Sequence, residues 1–263
     1  MRYSWAMLIL GHRGCPTRLC TENTLDSFRV ALEQGADGIE FDLRLSKDGE
    51  IIIFHDPNLH RVAGAAPKIK ELTATELAGY ELRYGGRIPT LNDITANIHF
   101  PAVLDMEVKQ YDVWQVLARK LRTSAGLRER TIISSFNHRV IRQAREEFPE
   151  MRTILLVRRW PLPLRGRKFW ANVEKLGPWA IGFPIMTFNQ RRVRFIRQMG
   201  YKVAGWDLRS SRGERLKAEK LGLDIAIVKW IRLPDAQAKT KRMKGLKKII
   251  DYVRSTQTDS RPD

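Results

Sequence analysis

The sequence predicts an α/β fold: a TIM-type (β/α)8 barrel with a small insertion and a β-hairpin protruding after the second strand. Two observations point there. Short β-rich runs alternate with amphipathic helical stretches along the 263 residues, the pattern of a parallel sheet wrapped by helices. Nine such runs reduce to the eight of a closed barrel once one tight turn is read as a hairpin.

In chain order the runs are 5–10, 37–43, 50–55, 102–108, 131–136, 153–157, 180–183, 202–206 and 224–229. Between the first two, Leu25, Phe28, Ala31 and Leu32 share one face of a helix over 24–34. Residues 137–147, 190–199 and 211–221 also read as helices. Lys47-Asp48-Gly49 separates the second and third runs, too short for a crossover of about a dozen residues. Residues 50–55 therefore return antiparallel. If the hairpin rises above the barrel mouth, its end brings His55 back to it. The stretch 60–90 lacks a strand period and reads as an insertion, about 56–92. The whole, 1–263, reads as one domain.

The chain is 43% hydrophobic and 29% charged, ordinary for a soluble protein. No apolar run approaches the roughly 20 residues that span a bilayer. The run 5–10 is too short for a signal-peptide core, so cytoplasm is the default. Charge is unevenly divided: the net is −3 over residues 1–110 and +21 over 111–263. That asymmetry points to an anionic partner, or to a solvated basic surface.

Chemistry-bearing residues collect at the carboxyl ends of the runs, where barrel enzymes place their sites. His12 and Arg13 follow the first, Glu40 and Asp42 end the second, His55 and Asp56 end the hairpin, and Glu107 and Lys109 end the next. Strand alternation puts Glu40 and Asp42 on one face, and Asp105, Glu107 and Lys109 on one face. Carboxylates converging inside a barrel repel unless something holds them. A hard divalent cation bound through oxygen by Glu40, Asp42 and Glu107 would do so, and so would ion pairs at the strand ends. His12 and His55 suit proton transfer near neutral pH. Arg13 and Lys109 supply positive charge for an anionic group, or balance the carboxylates. Together these residues describe phosphoryl transfer better than acyl transfer.

The strings Gly11-His12-Arg13-Gly14, Glu22-Asn23-Thr24, Gly35 through Asp42, Lys47-Asp48-Gly49 and Phe54-His55-Asp56-Pro57 resemble the glycerophosphodiester phosphodiesterase family. Ile88-Pro89-Thr90-Leu91 and Glu107-Val108-Lys109 extend the match; Ser134-Ser135-Phe136 and Trp206 continue it more weakly. The resemblance implies a metal-dependent hydrolase that cleaves glycerophosphodiesters to glycerol 3-phosphate and an alcohol. It implies His12 and His55 as the acid/base pair and Glu40, Asp42 and Glu107 as ligands of one Mg2+ or Ca2+. It further implies Arg13 on the phosphate with Lys109 close by, Glu22 orienting His12, and Phe136 and Trp206 against the substrate. Family members often carry Trp-Thr-Val-Asn where this chain has Trp206-Asp207-Leu208-Arg209, and Thr-Asp where it has Val228-Lys229-Trp230; both departures bear on the alcohol pocket. A lysophospholipase D-like hydrolase at anionic membranes and a catalytically silent binding barrel are the alternatives.

The basic half carries two further features. Residues 157–170 mix Trp160, Phe169 and Trp170 with Arg158, Arg159, Arg165, Arg167 and Lys168, and Pro161 and Pro163 argue for a loop. Residues 239–254 set Met243, Leu246, Ile249, Ile250 and Val253 on one helical face with lysines elsewhere, suiting a closing barrel helix or a membrane-lying one. Peripheral contact with an anionic membrane is thus expected of the partner surface, and no motif supports nucleic acid. Cys15 and Cys20 are expected as thiols.

Overall fold

A computed structural model describes residues 7–16, 20–99, 101–208 and 212–229. Residues 5 and 6 of the first run, Arg209, Trp230 and the expected helix 239–254 lie outside the described residues. Among the described residues the strands are β1 (Leu8–His12), β2 (Gly38–Leu45), β3 (Ile51–Ile53), β4 (Val103–Val108), β5 (Thr131–Ser135), β6 (Arg152–Leu156), β7 (Ala180–Pro184), β8 (Lys202–Leu208) and β9 (Ile225–Val228). The helices are α1 (Leu25–Glu33), α2 (His60–Ala63), α3 (Ala74–Ala78), α4 (Leu91–Asn97), α5 (Tyr111–Thr123), α6 (Ala125–Arg130), α7 (His138–Glu147), α8 (Pro163–Leu176), α9 (Gln190–Gln198) and α10 (Arg212–Leu221).

Every strand but β3 joins one parallel ring, which closes through β1 pairing both β2 and β9. This is the expected (β/α)8 barrel. β3 stands outside the ring and pairs antiparallel with the end of β2, Leu43 opposite Ile53 and Leu45 opposite Ile51. The turn between them uses Gly49 at φ 81°, a left-handed conformation that glycine enters without strain.

Alternation divides the strand side chains between two cores. Inside the ring, Leu10, Val103, Ile132, Ile154, Ala180, Ala204 and Ile225 form an apolar floor. Outside it, Ile39, Phe41, Leu104, Met106 and Ile133 pack against the helices. α5 shows the complementary pattern, burying Val113, Trp114, Leu117, Ala118 and Leu121 along one face. Close strand packing at the floor has a steric condition. A Cβ on Gly38 would sit 2.2 Å from the Val103 carbonyl oxygen, so only glycine fits there.

The insertion has a small core of its own, in which Leu59, Val62, Ile69, Leu77, Leu82 and Ile88 bury against Ile52 and Phe54 of the hairpin. That packing ties α2 to the hairpin end. The segment 157–170 differs from expectation: it is a loop only to Leu162, and α8 begins at Pro163. Proline at the first helical position lacks only an N–H that would have no intrahelical partner, so it starts a helix rather than breaking one.

Candidate active site

The side chains above the floor are polar. Leu10 points into the barrel, so His12, two residues on, does too. The parallel registers set His12 beside Glu40, Glu40 beside Asp105, and Asp42 beside Glu107. Glu40, Asp42, Asp105 and Glu107 are all buried. Glu40, Asp42 and Glu107 each offer an oxygen within 4.8 Å of the other two. Three buried carboxylates at such spacing form a hard, all-oxygen donor set that fits a divalent cation. Their electrostatics agree. Burial, then the charges of Asp42 and Glu107, pushes Glu40 well above the usual carboxylate range. Burial, then Asp42, likewise raises Glu107. Burial, then Glu107 and Asp42, raises Asp105 to about 7.

Asp42 is held the other way. Burial would raise it, but Lys109 and Arg13 outweigh that and keep it well below the usual range. Lys109 Nζ lies 2.6 Å from both Asp42 Oδ1 and Glu107 Oε1. Arg13 Nε lies 3.2 Å from Asp42 Oδ2. Asn23 Nδ2 donates to the same carboxylate at 2.9 Å. Arg13 and Asn23 both adopt left-handed backbone, φ 54° and 58°, which non-glycine residues rarely do. Gly14 makes the turn after Arg13 possible, because a Cβ there would meet the Ser27 backbone of α1 at 2.6 Å. Thr24 and Ser27 cap that helix reciprocally, so the loop carrying Glu22 and Asn23 leads into a fixed end.

The two imidazoles arrive by different routes. His12 ends β1, its Nε2 3.8 Å from Glu40 Oε2. Burial, then Arg13, lowers its pKa to about 3, so the ring is neutral at pH 7. His55 comes back on the hairpin, where Arg44 Nε donates to its carbonyl at 2.8 Å. Its Nδ1 lies 2.6 Å from Asp56 Oδ1, a contact that favours a proton on Nδ1. Burial lowers its pKa, and the nearby charges of Asp42, Arg13 and Lys109 act on it as well. Both rings thus lie within the field of Asp42 and Arg13.

Glu22 was expected to orient His12. Among the described residues its carboxylate instead pairs with Arg13 Nη1 at 2.9 Å and Arg61 Nη2 at 2.5 Å. Two guanidinium groups, of Arg13 and Arg61, thus share the Glu22 carboxylate. Glu22 reaches His12 through its charge alone. Arg61, on α2, also binds Asp56 through Nε at 2.6 Å. It therefore straps the loop beneath Arg13 to the support of His55. Phe136 and Trp206 meet edge to face at 5.6 Å across the mouth, after β5 and in β8. Among the described residues Trp206 Nε1 is buried with no hydrogen-bond partner. The pairing of β8 with β9 is irregular between Gly205 and Leu208, and Asp207 sits at φ 57°. Lys229, in the stretch where the family often has Thr-Asp, reaches Asp207 at 3.4 Å and bears on His12 by charge.

The sequence reading passed over Arg61, Asn23 and Asp105 as site residues. Asn23 stood inside a matched string, and Asp105 shares a face with Glu107. Arg61 gave no signal, because its partners are 39 residues and five residues away.

A closed parallel ring with its acidic and basic side chains gathered at one strand end is the layout of TIM-barrel enzymes. The comparisons with known proteins define the particular kind. Residues 12–232 match the model of the glycerophosphoryl diester phosphodiesterase family, and the chain belongs to that family. A glycerophosphodiester phosphodiesterase of Caldanaerobacter subterraneus subsp. tengcongensis is 34% identical over 175 residues, covering 60% of this chain and 72% of that protein. The crystal structure of a Thermotoga maritima glycerophosphodiester phosphodiesterase superposes with a TM-score of 0.72 at 27% identity, covering 86% of this chain and 96% of that one. An Oleispira antarctica phosphodiesterase in complex with the product sn-glycerol-3-phosphate gives 0.75 at 25% identity, covering 91% and 98%.

Proposed function

We propose that this protein hydrolyses glycerophosphodiesters to glycerol 3-phosphate and an alcohol with one divalent metal ion, Mg2+ or Ca2+, and two histidines. The observation that carries the reading is the buried cluster of Glu40, Asp42 and Glu107 with His12 and His55 at its rim. These three carboxylates would hold the ion, which supplies charge for a phosphate oxygen. Arg13 and Lys109 bring further positive charge to the diester. His12, buried and kept neutral, accepts the proton of the attacking hydroxyl or water. His55, held at Nδ1 by Asp56, would act as the imidazolium, a form the Asp56 carboxylate favours; it gives its Nε2 proton to the leaving alcohol oxygen and regains one from solvent, to which His12 returns the proton it took. Glu22 and Arg61 hold Arg13 and Asp56 in place. Phe136 and Trp206 flank the organic part of the substrate. Two buried thiols, Cys15 and Cys20, suit a cytoplasmic setting. Among the described residues no helix is long and apolar enough to cross a membrane.

The test is product release. Purified protein is incubated with glycerophosphocholine or lysophosphatidylcholine, with Mg2+, Ca2+ or chelator. The expected outcome is glycerol 3-phosphate from the first substrate, abolished by chelation. His12→Ala and His55→Ala should each lower kcat about 10²–10⁴-fold. Lysophosphatidic acid from the second substrate alone would move the assignment to head-group hydrolysis. Turnover of neither would leave a binding barrel.

A further inference from the structure

A second surface feature lies at the same end of the barrel, away from the carboxylates. The crossover out of β6 carries Arg158, Arg159, Trp160, Pro161 and Leu162; the one out of β7 carries Met186. Both leave from the carboxyl ends of their strands, so both stand beside the site mouth. Leu162 and Met186 are each 70% exposed, the most exposed large apolar side chains among the described residues. Beneath Leu162 a cavity of about 840 Å³ opens between α8 and α9, lined among others by Trp160, Arg167, Trp170, Phe195 and Met199. Its aromatic wall is built of rings in mutual contact. Trp160 packs on Trp170 at 5.4 Å and on Phe183 at 5.1 Å, and Arg192 covers it at 4.8 Å. The surroundings are cationic: residues 157–199 contain ten Lys and Arg against one acid, Glu174.

Protruding aliphatic groups, half-buried tryptophans and a surplus of arginine are what an anionic lipid surface recognises. We propose that the Leu162–Met186 rim with the α8–α9 groove seats this protein on an anionic phospholipid bilayer, with its site mouth facing the headgroups. Leu162 and Met186 enter the acyl boundary, the tryptophans lie at headgroup depth, and Arg158, Arg159, Arg167 and Lys168 meet lipid phosphates. Charge argues against covering by the chain's own 230–263, which carries nine Lys and Arg against four Asp. The aliphatic tips argue against nucleic acid, whose bases call for stacking platforms.

The docking rests on this surface and not on the hydrolase reading, so binding is measured without turnover. The intact protein is sedimented with vesicles of phosphatidylcholine, or of phosphatidylcholine with 30% phosphatidylglycerol (roughly a cytoplasmic anionic load). The expected result is binding to the anionic vesicles alone, weakened at raised salt. The double variant Leu162→Asp/Met186→Asp should bind at least about tenfold more weakly, since each exposed tip loses its apolar burial. Arg159→Glu/Arg167→Glu, also at exposed positions, should lose binding comparably and serves if the first pair fails to fold. Matching circular dichroism and thermal unfolding qualify each variant. Equal binding to both vesicle types, or variants that bind like the parent, would overturn the proposal. So would binding of duplex DNA without vesicle binding, which would assign the surface to nucleic acid.

Discussion

Among the described residues the Asp42 carboxylate contacts three polar side chains: Lys109, Arg13 and Asn23. Of these, Asn23 is the least replaceable, because it combines a buried hydrogen bond with a left-handed backbone that asparagine tolerates better than alanine. Asn23→Ala should destabilise the protein by about 2–3 kcal/mol, read by urea denaturation. Arg61 offers a separate test, since it touches neither the carboxylate cluster nor either imidazole. Arg61→Gln should lower kcat more than it raises KM, because Arg13 and His55 both lose a support, and Arg61→Lys should restore only part of the loss. A pH signature accompanies it. Burial would raise Glu22 and Asp56, but the hydrogen bond from Arg61 and the charge of Arg13 hold Glu22 below the usual range, and hydrogen bonds from His55 and then Arg61 do the same for Asp56. A carboxylate depressed on folding adds stability above its unfolded pKa of about 4, and that stability fades as pH falls through the folded value. Melting curves should therefore show the parent's advantage over Arg61→Gln at pH 7 shrinking below about pH 4. His12, Glu40 and Glu107 were legible because strand alternation is short-range. Arg61 was not, because no local period connects it to Glu22.

At the scale of elements, the hairpin was readable from three residues. Lys47-Asp48-Gly49 leaves no length for a crossover, and the register of β3 on β2 follows from it. The start of α8 departs from the expected loop because proline breaks a helix only in its interior; at the first turn the same ring favours the helix. The edges of β2 and β4 bring a further prediction. Gly38→Ala drives a Cβ into the Val103 carbonyl at the inner floor, and the strands that carry Glu40 and Glu107 must part to admit it. Destabilisation of about 3 kcal/mol or more is expected, measured by chemical denaturation, whereas Gly49→Ala, in open space at φ 81°, should cost about 1–2 kcal/mol.

Across the whole molecule, folded chain and ion should be linked. The three carboxylates converge only when β2 and β4 are paired, so an ion that binds them binds the native state alone. At about a hundred times its dissociation constant, Mg2+ or Ca2+ should add roughly 2.7 kcal/mol, a rise in Tm of about 5–10 °C. Glu40→Gln should blunt that rise in a thermal shift series. The ring itself was legible from alternation of runs. The gathering of aromatics between α8 and α9 was not, since its partners sit on different helices and only packing unites them.

The ring closes between β1 and β9, so the two arcs of the wall are covalently remote yet adjacent in space. The buried carboxylates, both imidazoles, Arg13 and Lys109 all belong to residues 12–109, while Phe136, Trp206 and Lys229 furnish the facing arc. Under the proposed function, bond breaking and leaving-group fit would thereby be encoded in separate stretches of gene. A descendant chain could then exchange one alcohol for another by drifting in the second stretch, with the first left intact.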